Sequence, residues 1–438
     1  MQQKLKIAAL FYFLFSCLLS IAQTKDADDS PKKDSANRAD TGKLPFAISR
    51  EKRLSDDDLK DKKEGIYITA EPDLSSDPQT GFGAGVEGQF FINGKRNDPF
   101  FAYTPYRAEI DLSVFYTTKS EREFELVWDV PYIFDSKWRL RGRCEYAVNP
   151  DFLFFGVNEN TLQPLGNLTN SDEFYNTYQQ QEASANVTLE HSWFEGKVRT
   201  LIGYELAGYQ TSTPLDNNAL LYQEAQEGLI KGYGTNHTGL LQLGIIYDTR
   251  DLEADPSAGS YIELTNEYSS PALGSQFTYN RTFFHYNYYQ RLLPGTFQKL
   301  VFAFRFGVGY TTLNAPFYEY LDQWTSIGDV EGLGGSQTLR GYDESRFAGP
   351  AVSLANVELR YRFAQTDFLK QHLGFYIIPF FDAGGIGNTL DRVANFQNLR
   401  FSAGPGAQIA WNEDTILRFD FGLCPEGSQF YFGIGQIF

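Results

Sequence analysis

The fold is decided by nine residues in which large apolar side chains alternate with small or charged ones: Phe302-Ala303-Phe304-Arg305-Phe306-Gly307-Val308-Gly309-Tyr310. Alternation with a period of two places successive side chains on opposite faces of a β-strand. Phe302 and Phe304 therefore share an apolar face, and Arg305 lies on the opposite, polar face. A strand with one apolar and one polar face separates an apolar medium from water.

The same alternation recurs from Ile66 onward. Its apolar rows include Ile110, Leu112, Val114 and Tyr116; Phe124, Leu126, Trp128 and Val130; and Val357, Leu359, Tyr361 and Phe363. Charged residues such as Glu109, Asp111, Glu123 and Glu358 fill the intervening positions. Strands of this kind cross a membrane only when they close into a barrel, because lipid cannot satisfy exposed backbone groups.

At roughly 23 residues per strand and connection, residues 65–438 allow about 16 strands. We therefore predict an all-β fold, a transmembrane antiparallel β-barrel of about 16 strands. Phe430, Phe432 and Ile434 alternate towards Phe438, which is predicted to be the terminal aromatic of the last strand, although Gln436 interrupts the row. A soluble β-sandwich is the alternative, and it explains poorly a strand that ends on the final residue.

Composition agrees with the barrel prediction. Aromatic residues make up 16% of the chain, with 27 Tyr and 38 Phe, as the two aromatic girdles of a membrane barrel require. The formal net charge of −17 argues against a nucleic-acid partner, because phosphate binding needs a basic surface.

The N-terminal residues predict export. Lys4 and Lys6 precede an apolar run from Ile7 to Leu19, and Ser20-Ile21-Ala22 supplies small residues for cleavage, so residues 1–22 are predicted to be a signal peptide. Leu14-Phe15-Ser16-Cys17 loosely resembles a lipobox, which leaves a lipoprotein as the alternative. The sequence after Ala22 contains no run of about 18 apolar residues that could form a spanning helix.

Residues 23–64 are rich in Lys, Asp, Ser and Ala, and we predict a largely disordered periplasmic segment there. One apolar island interrupts it, Leu44-Pro45-Phe46-Ala47-Ile48. The island is interpreted as a linker, with docking on a partner as the alternative. The barrel is predicted to occupy residues 65–438.

Three ordered motifs resemble those of the BamA/TamA outer-membrane superfamily, also called the bacterial surface antigen family. They are Gly334-Gly335-Ser336-Gln337-Thr338-Leu339-Arg340-Gly341-Tyr342, then Asn356-Val357-Glu358-Leu359-Arg360, then Phe380-Phe381-Asp382-Ala383-Gly384. A further segment, Tyr247-Asp248-Thr249-Arg250-Asp251, looks like a mid-barrel strand and turn of the family. The resemblance covers most of the barrel.

The resemblance implies that the loop with the Arg-Gly-Tyr motif folds into the barrel. The motif residues of this loop would be Gly334, Gly335, Leu339, Arg340, Gly341 and Tyr342. The residues of the strand motif would be Phe380 and Gly384. Arg340 would bind Asp382 and Glu358 on the inner wall. An Arg inside a lumen needs a carboxylate partner, and alternation places Glu358 on the wet face. The alternative is an exposed Arg340 with Asp382 as an ordinary lumen carboxylate.

The resemblance implies an outer-membrane protein of a Gram-negative bacterium that assists insertion or translocation of outer-membrane proteins or lipids. Outer-membrane lipids and periplasmic or outer-membrane assembly proteins would be its partners. BamA and TamA carry POTRA modules, and the 42 residues from Gln23 to Glu64 are too few and too polar for one. A passive channel or surface receptor built on the same barrel is therefore the alternative.

An enzyme is not predicted. The four His residues lack triad or H-E-x-x-H spacing, and no G-x-S-x-G elbow occurs; they are His191, His237, His285 and His372. Cys144 and Cys424 lack metal-site spacing, and the sequence leaves open whether they pair. We predict no metal and no cofactor.

Overall fold

The computed structural model describes residues 43–49, 52–54, 59, 62–77, 81–170, 172, 174–214, 218–251, 255–293, 299–368, 371–411 and 415–438. The signal peptide predicted for residues 1–22 and most of the segment predicted for 23–64 lie outside these residues. In the part of the chain that is described, no helix combines the length and the apolar character that crossing a membrane requires.

Sixteen antiparallel strands of the described chain form a closed barrel, which confirms the predicted fold class and strand number. Around the barrel the order is β1-β18-β17-β16-β15-β14-β11-β10-β9-β8-β7-β6-β5-β4-β3-β2. The strands are β1 (Gly65–Asp77), β2 (Gly81–Asn93), β3 (Ala108–Thr117), β4 (Arg122–Val130), β5 (Trp138–Leu153), β6 (Thr177–Trp193), β7 (Val198–Ser212), β8 (Gly234–Asp248), β9 (Gly259–Ser269), β10 (Tyr279–Arg291), β11 (Lys299–Thr311), β14 (Ala351–Phe368), β15 (Gln371–Gly387), β16 (Leu399–Trp411), β17 (Thr415–Cys424) and β18 (Gly427–Ile434). A separate hairpin pairs β12 (Asp322–Gln323) with β13 (Val330–Glu331).

The helices that the structure describes in full are short and lie in the connections between strands. The α-helix α1 spans Leu220–Gln226. Single-turn 3-10 segments lie at Ile133–Asp135, Glu159–Leu162, Leu165–Asn167, Phe194–Gly196, Pro271–Leu273, Phe317–Tyr320 and Phe396–Asn398.

The barrel wall has an apolar outer face and a polar inner face, as the alternation predicts. On β15, Ile377 and Phe381 are about half exposed on the outer face, whereas Ile378, Phe380 and Asp382 on the inner face are buried. Outer-facing Leu112 on β3 and Ile245 on β8 are likewise exposed. The exposed apolar rows form the surface that would contact lipid, and the polar rows line the lumen.

The two ends of the barrel differ in their connections. We call the end at which β1 begins the entry end, and the opposite end the far end. At the far end, long connections join β5 to β6 (residues 154–176), β7 to β8 (213–233) and β11 to β14 (312–350). The first is named the cross-mouth loop and the third the lumen loop, after the contacts described below.

The described residues before β1 pack against the entry end. We call residues 44–49, 52–54, 59 and 62–64 the strap. Its Phe46 ring lies 5.6 Å from the rings of Phe100 and Tyr132, and Ile48 and Leu59 are buried. The interpretation of the apolar island as a linker therefore does not hold for residues 43–49, because their apolar side chains dock on the barrel itself.

The last strand ends earlier than the sequence pattern predicts. β18 ends at Ile434, and Gly435 has a positive φ of 90°, which turns the chain away from the strand direction. Phe438 lies instead beside the buried inner-wall residues Val301 and Ala303. The prediction that Phe438 is the final residue of the last strand is therefore wrong.

Candidate functional site

Arg340 of the lumen loop is bound to the inner wall of the barrel. Its Nε and Nη2 donate to the two carboxylate oxygens of Asp382 on β15 at 2.8 Å each, and Nη1 donates to Glu358 Oε1 on β14 at 2.9 Å. The backbone N–H of Arg340 also donates to Asp382, at 3.2 Å. The structure thus brings together the three residues that the resemblance implies.

The surroundings of Arg340 favour the charged guanidinium. Burial alone would lower its pKa, but the Asp382 carboxylate, followed by Glu358 and Asp420, outweighs burial and raises the Arg340 pKa above its usual value. The guanidinium carbon also lies 3.4 Å from the ring centroid of Phe380, a cation–π contact that adds to the attraction.

The ion pair belongs to a larger buried network on β14 and its neighbours. Arg360 Nε donates to Glu358 Oε2 at 2.9 Å, so Glu358 lies between two guanidinium groups. Asn356 Nδ2 donates to Asp382 Oδ1 and to the Thr338 carbonyl of the lumen loop, at 2.8 and 2.7 Å. Buried polar groups need such partners, and this network therefore defines one position for the loop.

Glycines of the motif permit close approach to the wall. Gly341 has φ of 105°, and a Cβ there would lie 2.9 Å from the Gly422 carbonyl carbon on β17. Gly334 has φ of 124°, and its Cβ would lie 2.0 Å from the Asp343 carbonyl oxygen. Both positions require a residue without a side chain.

The other motif residues pack around the ion pair. Leu339 and Tyr342 are buried in an apolar cluster with Leu333 and Phe347. Gly384 on β15 gives Leu339 room, because a Cβ at Gly384 would lie 3.1 Å from that side chain. Gly335 has φ of 80° and donates its N–H to the Tyr342 carbonyl at 3.1 Å.

A second part of the lumen loop crosses to the opposite wall. The Ser326 N–H, between β12 and β13, donates to Glu263 on β9 at 2.9 Å. Arg141 on β5 donates to the Ser326 carbonyl at 3.1 Å. The loop is thus anchored to β14 and β15 on one side and to β5 and β9 on the other, so it crosses the lumen.

The cross-mouth loop spans the far end. The loop joins β5 to β6. Its Glu159 accepts a hydrogen bond at 2.8 Å from Nη2 of Arg392, which lies in the connection between β15 and β16. Six strands lie between these two hairpins in either direction around the barrel. The loop therefore reaches across the full width of the mouth.

Arg346 of the lumen loop is a site residue that the sequence did not reveal. It is fully buried, donates to the carbonyls of Thr161 and Gln163 in the cross-mouth loop at 2.6 and 2.7 Å, and pairs with Glu426 between β17 and β18 at 2.8 Å. One side chain thus joins the cross-mouth loop, the lumen loop and the β17–β18 turn.

The contacts of Arg305 with the C-terminal residues were also not predicted from the sequence. Its Nη1 donates to the Ile437 carbonyl at 3.2 Å, and its guanidinium carbon lies 5.1 Å from the Phe438 ring centroid. Arg360 Nη2 donates to the Phe438 backbone oxygen at 2.9 Å. Two arginines therefore hold the residues after β18. The period-two pattern predicted that both lie on the polar inner face but did not predict these contacts.

Neither of the two cysteines in the described residues forms a disulfide, and no metal cluster is found there. Cys144 and Cys424 are free, and no group of three or more His, Cys, Asp or Glu side chains there is arranged to hold a metal ion.

The seam between β1 and β18 is the weakest junction of the wall. β1 pairs with β2 along all of Gly65–Asp77. Although β1 and β18 are both described throughout, their one registered pair is Ser76 with Phe432. Most of the β1 edge that faces β18 therefore lacks a registered partner strand.

A closed sixteen-strand barrel with an apolar outer wall, a polar lumen and an Arg-anchored loop is an outer-membrane type of barrel. The family model described as the Omp85 superfamily domain matches residues 105–438, and the chain belongs to the Omp85 superfamily. The suspected kinship with BamA-type barrels is confirmed. A second model, described as a domain of unknown function (DUF5982), matches residues 44–107.

Solved structures share the fold. BamA from Haemophilus ducreyi lacking POTRA domains 1-3 is 17% identical over 85% of this chain and 70% of that one, with a TM-score of 0.55. CdiB from Escherichia coli is 12% identical over 84% of this chain and 62% of that one, also with a TM-score of 0.55. No curated protein matches the chain by sequence.

Proposed function

We propose that this barrel assists the insertion or translocation of outer-membrane proteins or lipids, and that the work takes place at the seam between β1 and β18. The observation that carries this proposal is the single registered pair, Ser76 with Phe432, in a wall whose other junctions pair along most of their strands. Unpaired backbone groups on a strand edge can hydrogen-bond an incoming strand. The β1 edge from Ile68 to Leu74, which has no registered pair with β18, would supply them.

The short β18 supports opening at this junction. It has eight residues against thirteen in β1, and the chain after Ile434 contacts the lumen arginines instead of β1. Separating the two strands would therefore break few backbone hydrogen bonds. A lateral opening in the wall gives a client strand or a lipid access to the membrane without passage through the far end.

A passive channel is the second candidate, and the polar lumen favours it. Against it, the lumen loop is anchored on both sides of the lumen, and the cross-mouth loop spans the far end. A pore would require both loops to move. Cation-selective conductance of the unmodified protein in planar bilayers would support the channel, because its lumen carries many carboxylates.

Partners follow from the two surfaces. The exposed apolar outer face would contact outer-membrane lipids. In this proposal the entry end faces the periplasm, and assembly proteins would bind there. We further propose that the protein is not an enzyme and resides in the outer membrane of a Gram-negative bacterium.

The first test is depletion of the protein in its native host. Selective loss of other barrels, or of lipid asymmetry, supports the proposal, and an unchanged outer membrane favours the channel.

A disulfide across the seam then tests the mechanism. The variant Ser76→Cys with Phe432→Cys, made with Cys144→Ser and Cys424→Ser, joins the registered pair. The matched control joins Ile245→Cys to Leu264→Cys, two outer-facing residues paired between β8 and β9. We expect the seam disulfide to block complementation until a reductant is added, and the control to complement throughout. Full complementation by the oxidised seam variant would contradict a lateral opening.

A further inference from the structure

We infer that the strap, β1, β2 and the β2–β3 connection form a clamp that immobilises the β1 side of the seam, so that β18 is the strand that moves. The inference deepens the proposed function, since it assigns the fixed and the moving edge of the same seam. Residues 44–107, matched by the family model of unknown function, contain all four parts of the clamp. The model would then describe one physical unit.

The outer half of the strap is held by aromatic packing. The centroid of the Phe46 ring lies 5.6 Å from the ring centroids of both Phe100 and Tyr132. The Phe100 and Tyr132 rings are stacked, with their centroids 4.9 Å apart. Phe100 belongs to the β2–β3 connection, and Tyr132 to the β4–β5 turn. Contacts between aromatic rings contribute stabilising free energy beyond that expected from the buried apolar area alone. The strap is thereby fastened to two separate hairpins.

The strap also reaches a third hairpin. The Ser49 N–H donates to the Glu195 carbonyl in the β6–β7 turn at 3.0 Å. A span from β2 to β7 covers more than a third of the strands in the barrel. A segment bound at so many points resists displacement better than one bound at a single turn.

The inner half of the strap is fixed immediately before β1. Leu59 is buried against Phe101 and Ala102, and the Leu54 N–H donates to the Ala102 carbonyl at 2.9 Å. Lys62 Nζ donates to the carbonyls of Phe101 and Thr104, at 2.7 and 2.6 Å. The chain therefore enters β1 from a fixed position.

The β2–β3 connection is built to receive the strap. Residues 94–107 are far more than the two to five residues that usually close a hairpin. Phe100, Phe101, Ala102 and Thr104 are all buried, and such residues in a hairpin connection need a covering segment. The strap supplies that cover.

The opposite side of the seam has no covering segment like the strap among the described residues. β18 follows β17 after a two-residue turn. Its Tyr431 hydroxyl accepts from the Gly341 N–H of the lumen loop at 3.1 Å, and the residues beyond Ile434 are held through Arg305 and Arg360. Any separation of the seam should therefore shift β18 and leave β1 in place against β2.

Hydrogen–deuterium exchange of the full-length purified protein in lipid nanodiscs tests the clamp without any assay of function. The variant Phe46→Ser with Leu59→Ser removes both anchor side chains, and Ala47→Ser, at an exposed neighbouring position, is the matched control. We expect amides of β1 to exchange about tenfold faster in the double variant, since local opening depends on buried contacts of this size. β8 and β9 should not change in either variant.

Unchanged β1 exchange in a variant whose strap peptides have become unprotected would overturn the clamp. A lock provides the second test: Leu54→Cys with Ala102→Cys, made without the native thiols, joins strap to connection. We expect this oxidised variant to complement the depleted host, because β18 moves and the strap stays. Inactivity that a reductant reverses would mean that the strap must release, which contradicts the inference but leaves the seam proposal standing.

Discussion

Arg340 and Asp382 meet fork to fork: Nε and Nη2 of the guanidinium lie 2.8 Å from the two carboxylate oxygens. Both side chains are fully buried. A buried ion pair adds little net stability over an apolar replacement, whereas loss of one partner leaves an unpaired buried charge and costs about 3–5 kcal/mol. The two-point geometry also fixes the direction of the side chain. The pair thus serves to position the lumen loop.

Arg340→Ala should therefore lower the free energy of unfolding by about 3–5 kcal/mol, because Asp382 and Glu358 would be left without their shared partner. Urea unfolding in detergent micelles, followed by tryptophan fluorescence, measures the loss. The charge exchange Arg340→Asp with Asp382→Arg should recover part of it, since the opposite charges still meet.

Arg392→Ala is the control for this prediction. Its ion pair with Glu159 has a similar length, 2.8 Å, but Arg392 is exposed, so its loss should cost at most about 1 kcal/mol. Wild-type stability of Arg340→Ala would show that the loop is held by other contacts.

Gly341→Ala should destabilise the loop for a steric reason. Its φ of 105° disfavours any side chain, and the new Cβ would lie 2.9 Å from the backbone of β17. We expect a loss of about 1–3 kcal/mol in urea unfolding. Gly166→Ala, where no atom lies within 4 Å of the new Cβ, should be near neutral. Equal stabilities of the two variants would refute close approach as the reason for Gly341.

Much of the wall was predictable because period-two alternation is a local property. Phe302 to Tyr310 falls within β11, and the inward positions of Ala303, Arg305 and Gly307 follow from counting. The contact of Arg340 with Asp382 and Glu358 joins distant parts of the chain. It was predictable only through the ordered motifs, since the residues alone left an exposed Arg340 open.

The contacts of Arg346 were not predictable. Two of its acceptors are the backbone carbonyls of Thr161 and Gln163, more than 180 residues earlier in the chain. Every residue has a carbonyl, so a side chain that binds carbonyls leaves no mark on the sequence of its partner. The position of Phe438 was missed for another reason. The sequence pattern suggests that the apolar row continues past Gln436 to Phe438. In the structure the chain leaves the strand direction at Gly435, which has a positive φ.

Phe438→Ala should destabilise the seam region. The ring packs with Tyr289, Val301 and Ala303 and lies 5.1 Å from the guanidinium carbons of two arginines. Partial loss of this contact should cost about 1–3 kcal/mol, and amides of β18 should exchange faster as a result. Phe396→Ala removes a ring that is 75% exposed and should leave β18 exchange unchanged. Unchanged amide exchange of β18 in Phe438→Ala would show that the Phe438 ring does not stabilise the seam.

Arg346→Ala should open the far end of the barrel. The wild-type side chain donates four charge-assisted hydrogen bonds, two to the cross-mouth loop and two to Glu426. Such bonds each contribute about 1.5–3 kcal/mol, and a bias of 1.4 kcal/mol suffices for a tenfold population change. Without them the cross-mouth loop keeps its ties to Arg392 and to Arg400 of β16, which donates to the Leu162 carbonyl, but loses its four-bond link through Arg346.

Single-channel recording in planar bilayers measures this opening. We expect open events to become about tenfold more frequent, or more, in Arg346→Ala than in the unmodified protein. Arg392→Ala, which removes a single exposed pair on the same loop, should raise them far less. If both variants conduct as rarely as the unmodified protein, the barrier lies in the lumen loop, which Arg340 holds independently of the far end.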